Sequence, residues 1–202
     1  MTKRKWITAA EHMALLEKNP EWVAHNAATE ARIKQREEEA RKEQARLLAD
    51  LMDVGVRVES AWDFVNTADK YPAAIPVLLR HVALPYSKRV KEGIIRALTV
   101  NYAGPEVLRE LIKQFCEQTD GSPNSLKWVL GNAISEVATP ADAETIIALA
   151  MDPSHGDSRD LITQRLPRVV KNKARLAEVL QHLMRDKQTE QYARLAARGQ
   201  IY

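Results

Sequence analysis

LKWVLGNAISEVATPADAETIIALAM, residues 126–151, reads as two amphipathic helices around a tight Thr139-Pro140 turn. The first helix places Leu126, Val129, Leu130, Ala133, Ile134 and Val137 at helical spacing, with Lys127, Asn132, Ser135 and Glu136 on the opposite side. Thr139 suits the N-cap of the second helix, Pro140 its first position, and Asp142 and Glu144 the first turn, where the helix dipole favours anions. Ile146, Ile147, Leu149, Ala150 and Met151 form its apolar face, and Asp152-Pro153 and Gly156 end it. A helix pair of this size cannot bury both apolar faces by itself, so it requires neighbours.

The neighbours are present from residue 60 onward. One series of helical segments falls at 61–67, 89–98, 126–137, 160–166 and 190–195, and a second lies between them at 75–82, 107–115, 144–151 and 176–184. In the first, Val65, Leu98, Ile134 and Leu166 are separated by 33, 36 and 32 residues. In the second, Leu78, Leu111, Ile147 and Leu180 are separated by 33, 36 and 33. Two series stepping together is what repeating helix pairs produce.

With Pro72 and Pro76 opening YPAAIPVLL, the Asp152-Pro153 exit, and Pro167 late in a first-series helix, the chain resembles the HEAT-repeat proteins. The likeness is to small bacterial members of the armadillo-like superhelices, over roughly two-thirds of the chain, with a period somewhat under the usual ~40 residues. Tetratricopeptide repeats have a period of about 34 residues, but their pattern of small and aromatic residues is missing. The resemblance implies an all-α fold: a right-handed superhelix of about four helix pairs, first-series helices convex and second-series helices concave. The polar second-series residues Arg80, His81, Arg109, Lys113, Gln114, Glu144, Glu178, Gln181, His182 and Arg185 would then form a protein-binding surface. The expected division is an N-terminal helical arm, 1–58, and a HEAT-like repeat domain, 59–202.

In the arm, Thr8 and Glu11 form a capping-box pattern for a short helix to about Lys18. Asn19-Pro20 starts a second helix expected to run to Met52 or Asp53, with Gly55 closing it. Its middle, residues 31–45, is charged nearly all round, and Glu30–Lys34 and Glu38–Lys42 are favourable i,i+4 pairs. Apolar a/d positions are too few there for a coiled coil, which favours a solvated helix over one that projects to pair with a partner.

Composition limits the rest. Apolar residues make up 45% of the chain, enough for a core, and strand-like alternation is nearly absent. No apolar run approaches the ~20 residues that span a bilayer, and the basic start MTKRKW has no apolar segment behind it. Cys116 is the single cysteine, so no intramolecular disulfide is available; it reads as a small buried hydrophobe in a reducing, cytoplasmic setting. Charge is uneven: residues 51–158 carry ten basic and fourteen acidic side chains, and residues 159–202 carry ten and four.

Recognisable chemistry is sparse. The glycines stand alone, so there is no phosphate loop, and the five histidines lack metal-ligand spacing. No cofactor or metal is expected. The polar linker 155–159 reads as a loop with Asp157 or Ser158 capping the next helix, or as a polar cluster at a groove edge. HEAT-like alkyl-DNA glycosylases suggest an alternative, with Trp128 and Glu136 or Trp62 and Asp63 beside a nucleotide, but no matching motif surrounds them. Arg165, Arg168, Lys171, Lys173 and Arg175 form a basic strip that could touch phosphates. Against this, aromatics for stacking are few and the middle of the chain is acidic. The expectation is a non-enzymatic protein that binds another protein, an inhibitor or immunity-type partner being one concrete version. The alternative is nucleic-acid binding.

Overall fold

The described residues, 7–65 and 67–200 of a computed structural model, are mostly helical, and no strand occurs among them. The basic start, residues 1–6, lies outside the described residues. In order, the helices are α1 (Ala9–Leu16), α2 (Pro20–Glu43), α3 (Ala45–Asp53), α4 (Ile75–Val82), α5 (Lys88–Ala97) and α6 (Pro105–Glu117). They continue with α7 (Leu126–Val137), α8 (Ala143–Met151), α9 (Asp160–Val169), α10 (Lys173–Leu183) and α11 (Glu190–Ala197). Short 3-10 segments occupy Ala61–Val65, Pro72–Ala74, Pro140–Asp142 and Pro153–Arg159. The chain divides into two compact units, Met1–Glu43 and Gln44–Tyr202.

In the first unit, the Thr8 hydroxyl accepts from the Glu11 N–H at 3.2 Å and the Glu11 carboxylate from the Thr8 N–H at 2.8 Å, which closes the capping box of α1. Asn19 accepts from the Glu21 N–H at 3.0 Å at the start of α2. Along α2, Glu38 and Lys42 pair at 2.9 Å. No residue of α1 or α2 is buried. The expected single helix from Asn19-Pro20 to Met52 is instead two. Gln44 (φ −91°, ψ 10°) leaves the helical region, and its buried side chain accepts from the Ala61 N–H at 3.1 Å. Gly55, at φ +81°, closes α3, with its N–H donating to Met52 and that of Val56 to Leu51.

In the second unit each second-series helix packs on the helix that follows it: α4 on α5, α6 on α7, α8 on α9 and α10 on α11. The first series also packs in sequence, segment 61–65 on α5, α5 on α7, α7 on α9 and α9 on α11. In addition α3 meets α4 and α8 meets α10. Leu98, Ile134, Leu166, Leu78, Leu111, Ile147 and Leu180 are all buried, as their common register requires. Val65 is not; it is 40% exposed. Segment 61–65 is a 3-10 helix, in which residues three apart share a face, so Ala61 and Phe64 turn inward in its place.

Three further expectations are corrected. Lys127 and Ser135, assigned by periodicity to a polar outer side of α7, are buried, because α5, α6, α9 and segment 153–159 surround that helix. The Lys127 ammonium donates to the Gln118 carbonyl at 2.8 Å and lies 5.1 Å from the centre of the Phe115 ring. Cys116 is exposed rather than buried. The inward stripe of α6 is Val107, Leu108, Leu111 and Phe115, and the next residue is rotated off it. Neither Asp157 nor Ser158 caps α9: residues 153–159 form 3-10 turns around Gly156 (φ +57°), and the N-cap position falls to Arg159.

Candidate binding groove

The helix pair α8 and α10 brings together half of the polar residues singled out by the second-series register. Asn172 caps α10, accepting from the Ala174 and Arg175 N–H groups at 3.0 and 3.1 Å, and so fixes where the helix begins. From there Arg175, Glu178, Val179, His182 and Arg185 recur at three- and four-residue steps along one face. Glu144, Ile147, Ala148 and Met151 do the same on α8. With Gln181, these residues line a groove of about 460 Å³. Its floor is apolar, built from Ile147, Ala148, Met151 and Val179, and its rim carries both signs of charge.

Electrostatically the groove has two unlike ends. At the end where the helices begin, the Arg175 guanidinium donates to Glu144 at 3.2 Å and to Glu178 at 3.0 Å. These bonds, Glu144 first, hold the guanidinium even more firmly protonated than usual. At the far end His182 and Arg185 are exposed. The neighbouring Asp186 is engaged elsewhere: it accepts from the Gln188 N–H at 2.9 Å and pairs with Arg159 at 2.8 Å. The Gln188 N–H first, then Arg159, hold its carboxyl below the usual range.

The remaining second-series candidates do not join the groove. Arg80 projects from α4, 3.8 Å from Asp50. His81 is buried and cannot meet a partner at the surface: its Nε2 is 2.8 Å from Asp50 and its Nδ1 2.6 Å from the Tyr86 hydroxyl. It latches α3 to α4, and its hydrogen bond holds the Asp50 carboxyl below the usual range. On α6, Arg109 and Lys113 are exposed beside Glu106 and Glu110 at 3.7 and 3.9 Å. Gln114 is buried, donating to Glu110 at 3.0 Å.

The basic strip is largely committed to internal partners. Arg165 and Arg168 both clamp Glu136, the latter at 2.7 Å, and Arg175 belongs to the groove. Trp62 donates from its indole to the Arg89 carbonyl at 3.2 Å, and Asp63 accepts from the Glu59 and Ser60 N–H groups at 2.8 and 3.2 Å. Both carboxylates, Glu136 and Asp63, thus have partners within the chain.

The linker 155–159 converges inward rather than on the groove. Arg159 is fully buried and donates to the carbonyls of Gly156 (3.1 Å) and Ala150 (3.3 Å) and to the Gln188 side chain (2.9 Å). With its Asp186 ion pair this clasps the end of α8 to the α10–α11 connection. His155 packs edge-on to Phe115, and burial, then the Lys127 charge, push its pKa down. Among the described residues no group of three or more His, Cys, Asp or Glu could hold a metal ion, and no helix is long and apolar enough to cross a membrane.

Sequence reasoning missed the groove's floor and the cation at its Glu144 end. Ile147 and Val179 sit at core positions of the helical pattern, and Arg175 was assigned to the basic tail. A signal was there: Glu144 and Arg175, one repeat apart, carry opposite charges. No family model, curated protein or solved structure matches the chain.

Proposed function

We propose that this chain is a non-enzymatic, cytoplasmic HEAT-like repeat protein that binds another protein through the α8–α10 groove, the helix pairs stacking into a right-handed superhelix. The observation that carries the reading is the groove's make-up: an apolar floor with charges of both signs on its rim. Apolar contact surrounded by polar groups is how protein segments are held. A nucleic-acid surface instead requires a row of available cations, and Arg165, Arg168 and Arg175 are bound to carboxylates here. An inhibitor or immunity-type role fits a chain of this size and uneven charge.

The test is affinity capture from a lysate of the source organism on the parent chain and on Ala148→Tyr, which fills the floor from an exposed position without adding charge. The expected result is a protein retained by the parent and lost from the variant, with circular dichroism unchanged. Recovery of no protein, or equal recovery by both chains, rejects the reading.

A further inference from the structure

We propose that the α8–α10 groove takes an acidic peptide segment of its partner, seating an apolar side chain on the floor and a carboxylate at the Arg185 end. The proposal rests on the binding reading above and specifies its chemistry. At the Arg175 end both rim carboxylates already have a counter-charge, held at 3.2 and 3.0 Å. A basic segment would have to compete with Arg175 for them. At the other end Arg185 has no ion pair among the described residues, and Asp186 is turned to the buried Arg159.

A partner lying on the floor removes water from Arg185 and His182. Desolvating a cation without a counter-charge opposes binding, whereas a carboxylate placed there gains a charge-assisted hydrogen bond. Long-range charge acts in the same direction: residues 159–202 carry ten basic side chains against four acidic ones, which attracts an acidic segment before contact. A polyanion without apolar side chains would leave the exposed Ala148 and half-buried Met151 of the floor uncovered, which favours a peptide over a nucleic acid.

The experiment selects phage-displayed random peptides on the immobilised full chain at about 50 mM salt, where charge attraction is strong, and measures the recovered peptides by fluorescence anisotropy. The expected peptides carry an acidic residue beside a large apolar one and lose binding to Ala148→Tyr. They weaken by about tenfold on Arg185→Glu, the size of one well-placed charge contact, while Arg185→Lys restores most of the affinity. Peptides without acidic bias, lost on Ala148→Tyr but indifferent to Arg185→Glu, would overturn this inference and leave the groove as a binding site. Peptides that bind Ala148→Tyr as well as the parent, or no recovered peptides, reject both. A single-stranded oligonucleotide that displaces the peptides from the parent and binds Ala148→Tyr equally would mark the surface as a nucleic-acid site and overturn the inference.

Discussion

Asp160 is a carboxylic acid placed where a carboxylate is costly. It is buried in the first turn of α9, its Oδ1 has no partner, and burial, aided by the Asp157 charge, pushes its pKa up to about 7 against the bond from Tyr192. Between the ordinary carboxylate pKa of about 4 and about 7, the folded chain holds a proton that the unfolded chain has released. Stability from this group is therefore full at low pH, falls as pH rises through that window, and is level above it. Asp160→Asn removes the dependence. Urea titrations should find the variant close to the parent at pH 4 and more stable at pH 8, by as much as about 4 kcal/mol. Arg159 is the opposite case, a buried charge with its partners in place. Arg159→Met leaves the Ala150 and Gly156 carbonyls and Gln188 without their donor, and should cost about 3 kcal/mol in the same titration. Neither role was legible in the residues: burial of 155–160 depends on what packs over it, whereas the caps at Thr8 and Asn19 are local and readable.

At the scale of elements, α7 shows how far periodicity carries. Val129, Leu130, Ala133, Ile134 and Val137 are buried where the pattern places them and Leu126 only partly, but the helix is enclosed on more sides than an amphipathic pattern describes, so Lys127 and Ser135 are buried with internal hydrogen bonds. Gly131 permits the closest approach: a Cβ there would collide with the Ser158 carbonyl, and one at Gly121 would come within 2.7 Å of the His155 carbonyl. Gly131→Ala must push segment 153–159 away, and we expect it to lose about 2 kcal/mol of stability despite the higher helix propensity of alanine, measured as a lowered urea midpoint. Asn172→Ala removes the cap of α10 and should cost about 1 kcal/mol. In the same variant, binding at the groove should weaken as the position of Arg175 loosens, readable in the capture assay.

For the whole molecule, the first-series helices from α5 to α11 touch in unbroken succession, so a defect in the middle is felt by both neighbours. Ile134→Ala, at a fully buried position of α7, should lower stability by about 3 kcal/mol in a single cooperative transition, while Met52→Ala, at an exposed position, should change it by less than about 0.5 kcal/mol. Separate transitions for the two ends of the unit in Ile134→Ala would show that its helices are coupled only locally. The charge imbalance of residues 159–202 also changes meaning at this scale. Much of it is spent on internal pairs at Glu136, Glu144, Glu178 and Asp186, and of the groove's own cations Arg185 is the one left outside these pairs among the described residues.

By itself the amino-acid sequence determined that the chain is helical, where most helices begin and end, and the common register of its two series. These follow from side-chain spacing and capping groups that act within a few residues of chain. Only the tertiary structure decided that α2 and α3 are separate helices, that Phe64 rather than Val65 turns inward, and that His81 and Arg159 are clasps. It alone set Arg175 beside Glu144, Glu178, His182 and Arg185 in one groove and left Arg80, His81, Arg109 and Lys113 out of it. The reason is physical: burial and pairing of a polar side chain depend on neighbours about thirty residues away, which no local pattern can specify.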